Sequence, residues 1–322
     1  PLPSESGKPN MQEFLKILYE NSKKGFELAF FVLMPIMVFM MAVMRVLDHK
    51  GVLRRVAILA APLLLFFGIP GLGVFAMVQI LFVSFAAPVS TFRLMDQDQA
   101  ISDRKIAAGF AAILCMSQAN ATLLLAAFGL DLPVVMASSL LGGLVSAWLT
   151  YRIFASHLPD GETLPAAKEI RPRGKKQSLI QLILGGGEEG FQLVLKAVPV
   201  LVLAVLLVNL LRAAGFIDLI ETLCGPVFAL IGVAPATVLP IITKYIAGGT
   251  AMMGTTLPML QDQTLTALDL NRIAGFTINT LDPVGLAILV SAGPRFTAFA
   301  LPAIKGALLG ILVRGIVHLL VF

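Results

Sequence analysis

Two charges stand inside otherwise apolar stretches of this sequence. Lys244 lies just ahead of YIAGGTAMMGTTLPMLQDQ (245–263), and Asp282 lies within NTLDPVG (279–285). A charged side chain at membrane depth is costly, and it marks a substrate path, a proton relay or a buried ion pair. An ammonium and a carboxylate placed this way can neutralise each other as a structural pair. Alternatively, one or both can touch a polar solute or a coupling proton. Asn279 and Thr280 add hydrogen-bonding groups beside Asp282, and Pro283 removes a helical hydrogen bond and frees carbonyls there. Gly248, Gly249 and Thr250 loosen the segment after Lys244. In the first half, Ser117-Gln118-Ala119-Asn120 sets polar groups mid-segment, and Gln79 and Ser84 do so earlier. The residues expected to line one solute site are Lys244, Asp282, Asn279, Thr280, Gly248, Gly249, Thr250, Ser84, Gln79, Gln118 and Asn120. Helix N-termini pointing into such a site favour an anion, and Asp282 favours a cation. A zwitterion or a mixed polar solute fits both.

The elements that must position these residues are set by composition. Apolar residues make up 57% of the chain and charged residues 13%, and the mean hydropathy is +0.90. That is about half the usual charged share, more apolar surface than a soluble core can hide. The long apolar runs suit helices crossing a lipid bilayer rather than the alternation of a membrane barrel. The expected fold class is an all-α polytopic membrane protein. Cys115 and Cys224 read as buried thiols, and no metal-ligand spacing surrounds them. None of His49, His157 and His318 sits mid-membrane, so no metal site is expected. The basic groups are not interleaved with exposed aromatics, which excludes nucleic acid as a partner. No HExxH or GxSxG motif points to an enzyme. The polar start, Pro1–Asn10, lacks the pattern of a signal peptide.

The chain repeats itself. At a spacing of 164 residues, Pro35 falls on Pro199, Gly51 on Gly215, Pro62 on Pro226, and Gly68 on Gly232. Gln97-Asp98-Gln99 falls on Gln261-Asp262-Gln263, and after a two-residue slip Ala108-Gly109-Phe110 matches Ala274-Gly275-Phe276. Internal repeats of this kind place a site at the repeat interface in transporter folds. Each copy reads as a long helix (26–47; 191–211), a shorter segment along the interface (51–67; 215–231), a third segment (72–94; 235–260) and a polar loop. Two further helices close it (104–128 and 132–154; 271–292 and 296–321). The third segments carry SFAAPVST (84–91) and AGGTAMMGTT (247–256) at their centres. Glycine and proline at mid-depth favour a hairpin that enters and returns over a single crossing, because irregular backbone there must be buried in protein or beside water. With hairpins the copies are inverted, and with full spans they run parallel. The QDQ triplets read as solvated caps. Gly306 and Gly310 make a small-residue step, for close packing or an oligomer contact, and Arg314 is expected to snorkel to the interface.

This order of elements resembles the Gate-domain (nucleoside-recognition) superfamily. That superfamily includes concentrative nucleoside transporters, the membrane portion of ferrous-iron transporters, and the spore maturation proteins A and B. The residues that carry the resemblance are GIPGLGVFAMVQILFVSFAAPVS (68–90), APATVLPIITKYIAGGTAMMG (234–254) and NTLDPVG (279–285). It implies two repeats, each a helix, an interfacial helix, a re-entrant hairpin, a broken helix and a helix, and a secondary transporter of a small polar solute, coupled to a proton or sodium ion. A non-transporting scaffold or assembly factor is the alternative. The sequence departs from nucleoside transporters in the first hairpin, which has Ser84, Pro88, Ser90 and Thr91 but no acid.

The expected organisation is a polar N-terminus with an interfacial helix (1–25), a first repeat (26–156), a basic linker (157–180) and a second repeat (181–322). The linker's lysines and arginines place it on the cytoplasmic side of a bacterial inner membrane.

Overall fold

The computed structural model describes residues 34–161, 178–213 and 232–322 continuously, with scattered positions in 19–31 and 215–230. The apolar stripe expected at Met11, Phe14, Leu15 and Leu18, most of the basic linker, most of 215–231 and Cys224 lie outside the described residues. Among those described, every regular element is helical.

The first half begins with α1 (Met34–His49) and, after Gly51, α2 (Val52–Leu64) with a 3-10 turn over Leu65–Phe67. Val56, Leu59, Leu63 and Phe66 on this segment are exposed. The chain then bends by 114° into α3 (Gly71–Phe82). Helix α4 (Pro88–Gln97) follows the break at 83–87 and packs back against α3, so the third segment is a hairpin. The segment over 104–128 is a broken helix, as the resemblance implies: α5 (Asp103–Cys115) and α6 (Ala119–Ala126), parted at 116–118. Helix α7 (Leu132–Leu149) continues as a π turn to Phe154, matching the expected span.

The second half begins with α8 (Leu179–Ala213), which starts twelve residues before the expected Phe191. Ser178 and Gln181 form a capping box: the Gln181 backbone N–H donates to the Ser178 hydroxyl and the Ser178 backbone N–H to the Gln181 side-chain Oε1. Gly185-Gly186-Gly187 therefore does not end the helix. Its small residues let α1 approach instead, and a Cβ at Gly190 would sit 2.6 Å from the Met37 carbonyl oxygen. A short 3-10 turn (Pro235–Thr237) leads to α9 (Val238–Ala247) and α10 (Gly249–Gln261), which pack side by side as the second hairpin. The expected helix over 271–292 is also broken, into α11 (Ala267–Thr277) and α12 (Pro283–Val290). Helices α13 (Pro294–Ala298) and α14 (Ala300–Val321) complete the fold. Among the described residues three spans are long and apolar enough to cross a membrane, 103–126, 132–154 and 300–321, or four if the bent α2–α3 pair is one span.

Several features recur at the repeat spacing. Gly51 and Gly215 have φ of 71° and 68°, and Gly68 and Gly232 have φ of 79° and 68°. Such left-handed positions suit glycine. Asp98 accepts from the Ala100 N–H, and Asp262 from the Thr264 N–H, both at 3.0 Å. The two QDQ acids thus close the same local turn. Between the halves, Phe92, Phe110 and Phe296 interlock, with Phe92 stacked on Phe296 at 4.3 Å. At the end of α7, partial burial raises the Asp160 carboxyl. Hydrogen bonds from Tyr151 and Ser102 and the nearby Lys105 and Arg104 outweigh this and hold it below the usual carboxylate range.

The α1–α8 contact gives the first prediction. Gly190→Ala should lower the melting temperature of the detergent-solubilised protein by several degrees, because the new methyl group meets backbone. Gly187→Ala, whose Cβ would lie 3.4 Å from the Val38 side chain, should leave it within about a degree, because the contact is with a side chain and alanine is the better helix former.

Candidate functional site

A broken helix in a membrane exposes carbonyls that water cannot satisfy, so each needs a partner from protein. The break between α11 and α12 answers this group by group. The Phe276 carbonyl accepts from the Asn279 side-chain amide and the Tyr245 hydroxyl, both at 2.7 Å. The Thr277 carbonyl accepts from the Asn279 N–H at 3.2 Å. The Ile278 carbonyl accepts from the Arg314 guanidinium at 2.9 Å, and the Asn279 carbonyl from Lys244 Nζ at 2.8 Å. The Thr280 carbonyl accepts from the Asp282 N–H at 3.0 Å.

The break at the end of α5 is completed from the other half. Thr280 Oγ1 donates to the Ile113 carbonyl at 2.6 Å, and the Thr280 N–H donates to the Leu114 carbonyl at 3.2 Å. Arg314 donates to the Cys115 carbonyl, and at 2.6 Å to the Ser117 hydroxyl. The two helix breaks therefore meet, held together by Thr280 and Arg314.

Asp282 is the second knot. As the N-cap of α12 it accepts from the Gly285 N–H on Oδ1 at 2.7 Å. Its other oxygen accepts from Lys244 and, at 3.2 Å, from the Gly249 N–H at the start of α10. The Lys244 side chain is 0% exposed and that of Asp282 4%. The expected pairing of Lys244 with Asp282 is thus present, at the place where the second hairpin tip meets the second helix break. Gly248 has φ 93°, and a Cβ there would press on Asp282 and Val284 at 3.2 Å. A Cβ on Gly249 would lie 2.7 Å from the Gln118 side-chain nitrogen, which brings the first helix break to the same point.

The remaining expected residues divide. Lys244, Asp282, Asn279, Gly248, Gly249 and Gln118 are drawn together, and Thr250 follows on the first turn of α10. Asn279 and Thr280 spend their side chains on the backbone of the breaks. Gln79 accepts from the Thr91 hydroxyl at 2.7 Å and ties the arms of the first hairpin. Ser84 is buried at the tip of that hairpin. The Asn120 side-chain oxygen is buried and has no hydrogen-bond partner among the described residues. Those residues also contain no group of three or more His, Cys, Asp or Glu suited to hold a metal.

One expectation is overturned. Arg314 does not snorkel: it is 0% exposed. The signal was present in the spacing. Gly306, Gly310, Arg314 and His318 recur every fourth residue and share one face of α14. The glycines pack on α7 beside Ser146 and Gly142, so Gly306 and Gly310 serve close packing within the chain. The same face carries Arg314 inward and lets buried His318 contact the Ser138 hydroxyl at 2.9 Å and the Asn271 carbonyl at 2.7 Å.

The fold and site define an all-helical membrane protein in which two hairpins and two broken helices meet around buried polar groups. The resemblance drawn from the sequence is supported by three comparisons. Residues 194–305 match the Gate family, described as "Nucleoside recognition". Spore maturation protein B of Bacillus subtilis (strain 168) is 31% identical over 86 residues, 27% of this chain and 48% of that protein. The matched stretch spans about half the length of that relative. Solved structures of CNTnw share the fold. A double variant in an outward-facing state has a TM-score of 0.67 at 15% identity, covering 96% of this chain and 83% of CNTnw. The inward-facing substrate-bound state gives 0.66 at 16% identity, over 96% and 82%. A variant in the intermediate 1 state gives 0.69 at 17% identity, over 94% and 79%.

Removing Arg314 tests the tie between the breaks. Arg314→Met leaves two carbonyls and a hydroxyl without their donor and should cost on the order of 3 kcal/mol of stability. Arg314→Lys should recover less than half of that, because one ammonium cannot reach both breaks as the planar guanidinium does. Thermal unfolding of the purified variants measures both.

Proposed function

We propose that the protein is a secondary transporter of a small polar solute, working by alternating access in a bacterial cytoplasmic membrane. The observation that carries this reading is the buried Lys244–Asp282 pair, set where a hairpin tip meets a helix break. An immobile structural pair has no need of a one-residue hinge. Here Gly248, the residue between α9 and α10, separates Lys244 from the α10 N-terminus that also points at Asp282. Moving the hairpin tip away from α12 breaks the Gly249–Asp282 hydrogen bond and opens the space between them. Asp282, the free N–H groups at the start of α10 and the Gln118 amide then offer both acceptor and donors, as a zwitterion or mixed polar solute requires. The fold similarity to CNTnw in outward-facing, intermediate and inward-facing substrate-bound states supports alternating access.

In this reading the repeats, 26–156 and 181–322, run in opposite directions, and the basic linker 157–180 faces the cytoplasm. A proton or a sodium ion is the candidate coupling ion. The match to Spore maturation protein B favours one other reading, a membrane scaffold or assembly factor that carries nothing.

The two readings part on ligand response. A polar solute from a broad panel should raise the melting temperature of the purified protein and be taken up by proteoliposomes. Asp282→Asn and Lys244→Ala should reach the membrane normally yet lose at least about tenfold in uptake, ~1.4 kcal/mol. If no solute shifts the melting temperature, the scaffold reading stands and the transporter reading falls.

A further inference from the structure

The ammonium of Lys244 sits where a free monovalent cation could sit. Its neighbours are oxygens: a carboxylate oxygen of Asp282 and the main-chain carbonyl of Asn279 at 2.8 Å. Carboxylate and carbonyl oxygens are the ligands that hard cations prefer. The Asn279 carbonyl belongs to the unwound stretch after α11, and unwound carbonyls at half-helix ends coordinate coupling cations in transporters. The Asp282 carboxylate is also fixed by the Gly285 N–H on Oδ1 and by the Gly249 N–H on the oxygen that meets Lys244, so two backbone donors hold it whether or not Lys244 is present. Asn279 is fixed too, since its side chain accepts from the Leu281 N–H at 3.0 Å and donates to the Phe276 carbonyl. The oxygens are therefore pre-arranged by the break itself, and Lys244 only fills the position between them.

We propose that Lys244 is a built-in counter-ion. Its ammonium occupies a monovalent-cation position made by Asp282 and Asn279, so no sodium ion binds there in the native protein. The geometry holds whatever the solute is. Its functional meaning, that the transporter carries its own cation at this position and is not sodium-coupled through it, rests on the transporter reading. A neighbouring charge supports the assignment. Arg314 already takes the adjacent Ile278 carbonyl, so a second mobile cation beside it would meet two fixed positive charges with one carboxylate to share.

The test uses the full-length purified protein in sodium, lithium, methylammonium or choline chloride at constant ionic strength. It reads thermal unfolding and binding of radioactive sodium. The wild type should melt at the same temperature in all four salts and bind no saturable sodium. Lys244→Ala opens the position and strands the carboxylate. It should melt lower in choline and regain several degrees, saturably, in sodium, lithium or methylammonium, which are small enough to enter. Lys244→Ala combined with Asp282→Ala should lose that response. Saturable sodium binding to the wild type that Asp282→Asn abolishes would overturn the proposal, and needs no folded Lys244 variant. A Lys244→Ala protein with no size-selective cation response would overturn it as well. Neither result touches the solute assay, so the transporter reading can fail or survive separately.

Discussion

The constraint on which the rest of this structure depends is that a carbonyl in hydrocarbon must find a donor. Two helices are broken at mid-chain, after Cys115 and after Thr277, and the freed carbonyls cannot turn to water. They are answered by a small set of side chains: Thr280 and Arg314 for one break, Arg314, Lys244, Asn279 and Tyr245 for the other. Because Arg314 and Thr280 serve both or cross from one to the other, neither break can move without the other. The breaks and α14 are tied together, and Lys244 and Tyr245 of α9 and the Gly249 N–H of α10 tie the second hairpin to them.

The charges follow the same logic. Arg314 has no acidic partner among its recorded contacts, yet it lies against the C-terminal ends of α5 and α11. Each helix end carries roughly half a negative charge, so two of them offset about one guanidinium. Asp282 is the mirror case, at the N-terminal ends of α10 and α12 with Lys244 beside it. Burying an ion pair by itself contributes little to stability, since desolvation opposes the Coulomb gain. Here the helix ends share the load, which is why such groups are tolerated inside an apolar bundle.

Much of the fold was legible in the sequence because glycine, proline and charge are unusual in apolar segments. The hairpins showed in SFAAPVST and AGGTAMMGTT, the second break in the Asp282-Pro283 step, and the ion pair in two lone charges. What was not legible depended on partners distant in sequence. The first break was expected from the resemblance and from its polar residues, but it has no proline, only Ser117 and Gln118, and the Arg314 and Thr280 that satisfy it could not be read from its own segment. Arg314 read as a helix-end residue because snorkelling depends on what the helix packs against. The fourfold spacing from Gly306 was the clue to its inward direction. The early start of α8 was hidden by three glycines that look like a break and are a contact surface. The capping box at Ser178 and Gln181 was the stronger signal.

Helix α8 has a further consequence. At ~1.5 Å per residue its 35 residues measure about 52 Å, against a hydrocarbon layer of ~30 Å and a whole bilayer of about 40–45 Å. It must lean steeply or stand clear of the membrane. The half-exposed Arg45–Glu189 ion pair marks a level where water reaches the rod. The turns from Leu179 to Glu188 then lie at or beyond the surface, while the far side of the same helix packs against α10. The same helix that reaches the surface at one end packs along the second hairpin. The chain ahead of Leu179 is thus joined to the second hairpin through one continuous helix.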